Sequence, residues 1–270
     1  MPASQPYTVA CSGGLVKSSN AIDLLKTPGV AQELRNFEVS IEGGYRRING
    51  FSQFGSAKVT GSTTNILGVI PYADGVIACA STGIYFSQDG NSWLNVSRSS
   101  VAGSGDDHTA FTGRTALART GQGQISFALY EAATDDYGTI VIADGANKPY
   151  AFRMEGTGAN INTRTFFGAE ITVNSTKHVT HVTIHDNHLI AAGVEDNLNT
   201  VYYSVNNDID DFSSSGSGAI VISDQIVGIR GFREDLFIFC ENSIYKLINI
   251  NNTSTIAVVP VAENVGCMSG

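Results

Sequence analysis

Residues 66–86 read ILGVIPYADGVIACASTGIYF, and residues 226–247 read IVGIRGFREDLFIFCENSIYKL. Each is an apolar run, a polar turn and a second apolar run that ends near a tyrosine. Residues 178–203, HVTHVTIHDNHLIAAGVEDNLNTVYY, repeat the pattern, and residues 138–154 carry a worn fourth copy. Val, Ile, Phe, Tyr and Thr dominate the runs, as a pleated and half-buried surface requires. Asp74-Gly75, Asp186-Asn187 and Glu234-Asp235 fall between paired runs and read as hairpin turns. No window of residues 60–260 sustains a helical period over three turns. Self-similarity on this scale implies one supersecondary unit stacked several times, and it argues against a single-site globular enzyme.

Tyrosines time the repeat. Tyr85, Tyr150, Tyr203 and Tyr245 recur at roughly 65, 53 and 42 residues, against about 40–50 residues for a four-stranded propeller blade. A ring of blades buries the faces that a lone blade leaves open. The stretches at 97–119 and 213–218 (SSSGSG) read as exposed polar loops between strands.

One local motif specifies the type of blade. Ser87-Gln88-Asp89-Gly90-Asn91-Ser92-Trp93 resembles the Asp-box of many β-propellers, with Ser87, Asp89, Gly90 and Trp93 at its key places. An aspartate can accept hydrogen bonds from its own turn, glycine permits a left-handed angle, and Trp93 is expected to cap the neighbouring core. Residues 204–212, SVNNDIDDF, are a degenerate echo. The box is structural and assigns no chemistry. The expected fold is therefore all-β and β-propeller-like. Residues 1–58 form a non-repetitive N-terminal docking extension, and residues 59–270 form the repeat domain. After a last strand near 255–261, ENVGCMSG offers no closing element. The ring is expected to be incomplete, finished either by residues beyond 270 or by a partner chain.

Composition narrows the function classes. In 270 residues, 42% are hydrophobic and 15% charged, so a large core is available and the surface relies on small polar residues. With 16 Lys and Arg against 25 Asp and Glu, the net charge is −9, which lacks the footprint of a general nucleic-acid binder. The four cysteines, Cys11, Cys79, Cys240 and Cys267, have no metal-type spacing, and Cys79 and Cys240 sit in apolar runs as expected of buried thiols. No basic-then-apolar leader opens the chain, and no run approaches the roughly 20 residues of a membrane helix.

Candidate chemical groups are few. The pairs Asp106-Asp107 and Asp135-Asp136 match no calcium-loop pattern and read as solvated loop charge. His178, His181, His185 and His188 would align as metal ligands on a helix. On a hairpin, His181 and His185 share a face, His178 points the other way, and His188 meets His185 across the turn. No phosphate loop or nucleophile elbow occurs, and no cofactor is expected.

The first zone carries a family resemblance. Helical turns are expected at 21–25 and 30–35, broken by Thr27-Pro28-Gly29, then a strand at 37–41, a Glu42-Gly43-Gly44 turn and a return strand at 45–51. Residues 13–51, GGLVKSSNAIDLLKTPGVAQELRNFEVSIEGGYRRINGF, resemble the opening of a family of tailed-bacteriophage virion proteins that continue into propeller repeats. The matching residues are Gly13, Gly14, Leu15, Pro28, Gly29, Leu34, Asn36, Gly43, Gly44, Tyr45, Arg46, Arg47, Gly50 and Phe51. The functional type that this resemblance implies is the tail nozzle, also called tail tubular protein B, whose members are usually longer. It implies a non-enzymatic structural subunit of the tail or neck, assembled in the host cytoplasm into the virion. Expected partners are five further copies in a hexameric ring, the adaptor and portal, and tail fibre proteins. DNA is only passing cargo, and no membrane is involved. Arg46 and Arg47 are the expected inter-subunit docking residues. Two alternatives remain, a tail fibre or receptor-binding subunit and a propeller glycosidase-like tail enzyme.

Overall fold

The computed structural model describes residues 30, 37–39, 45–47, 52–59, 65–120, 123, 125–132, 135–175, 177–232 and 234–267. The chain divides into two compact units, Met1–Phe54 and Gly55–Gly270, where the sequence places the boundary after residue 58. In the first unit, β1 (Phe37–Val39) and β2 (Tyr45–Arg47) pair antiparallel, with Glu38 opposite Arg46 and Phe37 opposite Arg47. The helical turns expected at 21–25 and 30–35, Val30 apart, lie outside the described residues.

Among the described residues, the second unit forms four antiparallel sheets in chain order. Sheet 1 holds β3 (Ile66–Tyr72), β4 (Gly75–Ala80), β5 (Gly83–Ser87) and β6 (Leu94–Asn95). Sheet 2 holds β8 (Ser126–Tyr130), β9 (Thr139–Ala143), β10 (Tyr150–Glu155) and β11 (Thr165–Glu170), with β7 (Asp106–Asp107) added outside β11. Sheet 3 runs β12 (Val179–His185), β13 (His188–Val194), β14 (Thr200–Tyr203), β15 (Gly218–Val221). Sheet 4 runs β16 (Ile226–Phe232), β17 (Asp235–Cys240), β18 (Ser243–Ile248), β19 (Ala257–Glu263). The four tyrosines Tyr85, Tyr150, Tyr203 and Tyr245 all fall on the third strand of their sheets.

Turn chemistry sets the hairpins. Asp186 and Asn187 both take left-handed angles, φ 48° and 62°, between the paired His185 and His188, as a two-residue loop matched to strand twist demands. In sheet 1 the loop is displaced by one residue from the expected Asp74-Gly75. Tyr72 pairs with Gly75, and Ala73 carries the positive φ of 52°. Gly75 is needed as a strand residue instead, because a Cβ there would lie 2.3 Å from the Ser87 carbonyl. In sheet 4 the loop likewise falls between Phe232 and Asp235, one position before Glu234-Asp235.

Each pair of consecutive sheets encloses its own core. Tyr72, Ile77 and Phe86 of sheet 1 pack with Ile140, Tyr150, Phe152 and Phe166 of sheet 2. Ala128, Val141 and Ala143 of sheet 2 pack with Val182, Leu189 and Ala191 of sheet 3. Ile190, Ala192, Val201 and Tyr203 of sheet 3 then pack with Leu236, Ile238 and Leu247 of sheet 4. Successive residues of β9 and β13 therefore enter opposite cores, and both strands are buried along their whole length. Two-sided burial is why these strands read as continuous apolar runs and not as alternation. Each fully buried Ile or Phe contributes about 1.5–3 kcal/mol relative to exposure.

The segment at 97–119, expected as an exposed loop, contributes to this core. Asp107 caps a short helix, α1 (His108–Gly113), by accepting from the Ala110 N–H at 2.7 Å. Phe111 of α1 is wholly buried and stacks on Phe166, with centroids 5.2 Å apart.

Candidate functional site

The first strands β3, β8, β12 and β16 each lie at one edge of their sheet, and these edges adjoin. Ser126 on β8 accepts from the Val182 N–H of β12 (3.0 Å) and donates to the Val182 carbonyl (3.1 Å). Gly68 on β3 comes so close to sheet 2 that a Cβ would sit 2.9 Å from the Ile125 Cβ. All four strands border one cavity of about 420 Å³. Sheets that stand side by side and turn their first strands to a shared centre make an all-β, propeller-like fold.

Ile70, Ile125 and Phe127 supply the cavity's apolar wall; Ser126, Thr180, His181, Thr183 and Arg230 supply its polar groups. His181 and Arg230 are the ionisable residues among its lining. Burial pushes the His181 imidazole below its ordinary pKa, because the interior disfavours the charged ring. Arg230 has no ion pair or hydrogen bond from its side chain to any described residue.

The four histidines do not gather. His178 pairs loosely with Glu195 (3.6 Å), and His185 lies across the hairpin from His188. His188 is buried, with Nδ1 2.6 Å from the Ser204 carbonyl and Nε2 3.0 Å from Asn251 Oδ1. Among the described residues, no three His, Cys, Asp or Glu side chains come together as a metal site.

The acidic pairs are more structural than their loop sequence suggests. Asp106 is buried against Arg114 (3.1 Å), Asp135 meets Arg153 (3.2 Å), and Asp136 accepts from the Gly156 N–H (2.7 Å). Loop carboxylates are held here because each has a donor fixed by a neighbouring strand or helix end.

The Asp-box occupies the connection from the third to the fourth strand of sheet 1. Ser87 Oγ accepts from the Gly90 N–H and Asp89 Oδ1 from the Asn91 N–H, both at 2.8 Å, and Gly90 has φ 72°. Those Asn91 contacts hold the Asp89 carboxyl below the usual range. Trp93 is half-buried beside the core, with its indole N–H donating to the Ala57 carbonyl (3.3 Å). It is not the core cap that the motif suggests, because residues 55–57 lie along the turn. The Ala57 N–H reaches the Gly90 carbonyl at 3.1 Å, and a Cβ on Gly55 would collide with Gly90 at 2.1 Å. The echo at 204–212 occupies the same third-to-fourth connection in sheet 3. Arg46 and Arg47 lie on β2 of the first unit.

A cleft of about 740 Å³ between sheets 2 and 3 holds Asp135, Arg153, Glu170, Asp208 and Asp210. The cleft has no signal in the sequence, where residues 204–212 read as a degenerate echo of the Asp-box. Asp210 is raised to about 6, first by its hydrogen bond with Asp208 and then by burial.

No family model matches the chain, and no curated protein matches it. Among solved structures it is similar to the Pan2 WD40 domain of Neurospora crassa, at 10% identity over 74% of this chain and 52% of that one, with a TM-score of 0.42. A chain of the RAG complex with one melted and one unmelted RSS gives 11% identity, 74% and 68% coverage and 0.48. Apo AztD from Citrobacter koseri gives 9%, 77% and 61%, and 0.41. The chain thus spans about half the length of the Pan2 domain. The class that its own sheets define is an all-β, propeller-like protein.

Proposed function

We propose that this chain is a structural subunit of a bacteriophage tail or neck, of the nozzle or tail-tube type, that works by association and not by catalysis. The observation that carries the reading is the GGL to GGYRRINGF segment followed in sequence by a propeller-like body. Apolar residues at the two terminal sheets support it. Val69 of sheet 1 is 58% exposed and Val261 of sheet 4 is 53% exposed, and each offers an apolar contact to a neighbouring subunit on this reading. Partners on this reading are further copies in a sixfold ring, the adaptor and portal, and tail fibres. The acidic charge keeps passing DNA from being gripped.

Mass measurement of the full chain, alone and with its adaptor, tests the proposal. A ring of six supports it, a trimer favours the fibre alternative, and a monomer under both conditions overturns it. Arg46→Glu with Arg47→Glu is expected to abolish docking; intact assembly would remove these arginines from the mechanism. Hydrolysis of a glycan panel that is lost in Asp210→Asn would instead establish the enzymatic alternative.

A further inference from the structure

We propose that the cavity where the four first strands meet binds a small ligand through a carboxylate or phosphate group, ion-paired to Arg230. In a protein with nine more acidic than basic residues, the cavity lining contains Arg230 and His181 and no carboxylate. Arg230 is solvent-exposed at the cavity's rim and His181 half-buried within it, so an anion entering meets positive charge and hydrogen-bond donors.

Arg230 is not explained by the fold. It stands two residues before the end of β16, where Phe232 pairs with Asp235. Ile70 holds the same place in β3, where Tyr72 pairs with Gly75. An aliphatic side chain therefore satisfies this position structurally. Arg230 brings five N–H donors there and uses none of them on a described side chain or backbone group. Thr183 occupies the same register place on β12, two residues before His185, and its hydroxyl makes no hydrogen bond to a described residue. Thr180 donates to the Gly193 carbonyl at 3.1 Å and has only lone pairs left. The donors open to a ligand are thus Arg230, Thr183 and His181. As edge strands, β3, β12 and β16 also turn a row of backbone groups without ladder partners toward the centre. A volume of about 420 Å³ lies within the about 300–1,000 Å³ range of small-molecule sites.

Half-buried His181 is held below its ordinary pKa, and a neighbouring anion would favour its protonated form. Affinity should therefore rise as pH falls through the ordinary histidine range. His181 and Arg230 are the charged or titratable groups facing the cavity from all four strands.

The test is calorimetric titration of the full chain with inorganic phosphate and, separately, with citrate, which distinguishes the two sources of oxyanion. Saturable binding of either, weakened about tenfold or more in Arg230→Gln and by a smaller factor in Thr183→Val, is expected. Because Arg230 has no hydrogen-bond or ion-pair partner among the described residues, Arg230→Gln should unfold at the wild-type temperature, which separates lost binding from lost fold. NMR titration of His181 supplies the second readout. Its pKa should rise on adding the bound anion to wild type and stay fixed in Arg230→Gln. No saturable binding of either anion, or binding undiminished in Arg230→Gln, overturns the proposal. Neither outcome bears on assembly into a ring.

Discussion

Arg164 is fully enclosed, with its side chain 0% exposed, yet it reaches a partly exposed carboxylate on another sheet. Its two terminal nitrogens donate to Asp74 at 2.8 and 2.6 Å, and Nε donates to the Gly158 carbonyl at 3.0 Å. The fork ties the β3–β4 turn of sheet 1 to the β10–β11 connection of sheet 2. The Arg164 hydrogen bonds hold Asp74 at about 2, below its ordinary 3.8. A depressed carboxylate adds stability above the unfolded value and loses it as pH falls through the folded one. Urea titrations should therefore show stability declining between about pH 4 and pH 2, and Asp74→Asn should flatten that decline. Solvent screening at Asp74, 42% exposed, makes this a modest effect. Arg119 and Asp144 differ, because both are buried, at 2.9 Å. Arg119→Met strands a carboxylate inside the fold and is expected to cost about 3–5 kcal/mol in chemical denaturation. Adding Asp144→Asn should recover part of that loss. Among the thiols, Cys79 is pushed up to about 12 and Cys240 to about 11, burial being the first cause in each. Native alkylation at pH 8 should thus label Cys267 before either of them.

At the level of strands and turns, tyrosine hydroxyls bind sheet 1 to sheet 2. Tyr150 Oη accepts from the Arg98 N–H (3.0 Å), and its one O–H faces the carbonyls of Val96 and Arg98, just past β6. Tyr72 Oη donates to the Gly138 carbonyl (2.8 Å) and accepts from the Met154 N–H (3.2 Å). Tyr150→Phe should cost about 1–3 kcal/mol by leaving buried backbone groups unpaired. Two glycines give a sharper comparison. Gly68 in β3 and Gly228 in β16 both follow an Ile-x pair, at the same register shift in the first strand of their sheets. Gly68 is wedged against Ile125 and Phe127, whereas a Cβ on Gly228 meets nothing within 4 Å. Gly68→Ala is expected to lower the denaturation midpoint and Gly228→Ala to leave it within about 0.5 kcal/mol of wild type. Equal effects would show that the bulge itself requires glycine and that packing by the next sheet does not.

For the whole molecule, the polarity of stacking matters most. Sheets 1, 2 and 3 each press the same face onto the sheet that follows. The corresponding face of sheet 4, with Phe237, Phe239 and Ile244, meets no later sheet among the described residues. The opposite face of sheet 1 carries Val69 and Val76, with Val69 58% exposed. If these faces serve assembly, Val69→Glu should leave the unfolding midpoint near wild type and lower the mass of the assembled particle in native mass spectrometry. Unchanged mass would direct assembly to other surfaces.

Strand content, the four-fold repeat and the turn at Asp186-Asn187 were legible because each is encoded within about ten residues, through alternation, β-branched side chains and left-handed turn residues. The buried thiols at Cys79 and Cys240 were legible for the same reason. The helix carrying Phe111 was not, because its stacking partners Phe152 and Phe166 lie far along the chain. The central cavity was equally hidden, since His181 and Arg230 read as ordinary strand residues until β12 and β16 adjoin. Local sequence alone determined an all-β repeat with an Asp-box turn. Only tertiary structure decided which faces are buried twice, which carboxylates are paired and that Arg230 and His181 line one cavity, because these depend on contacts between sheets that no sequence window contains.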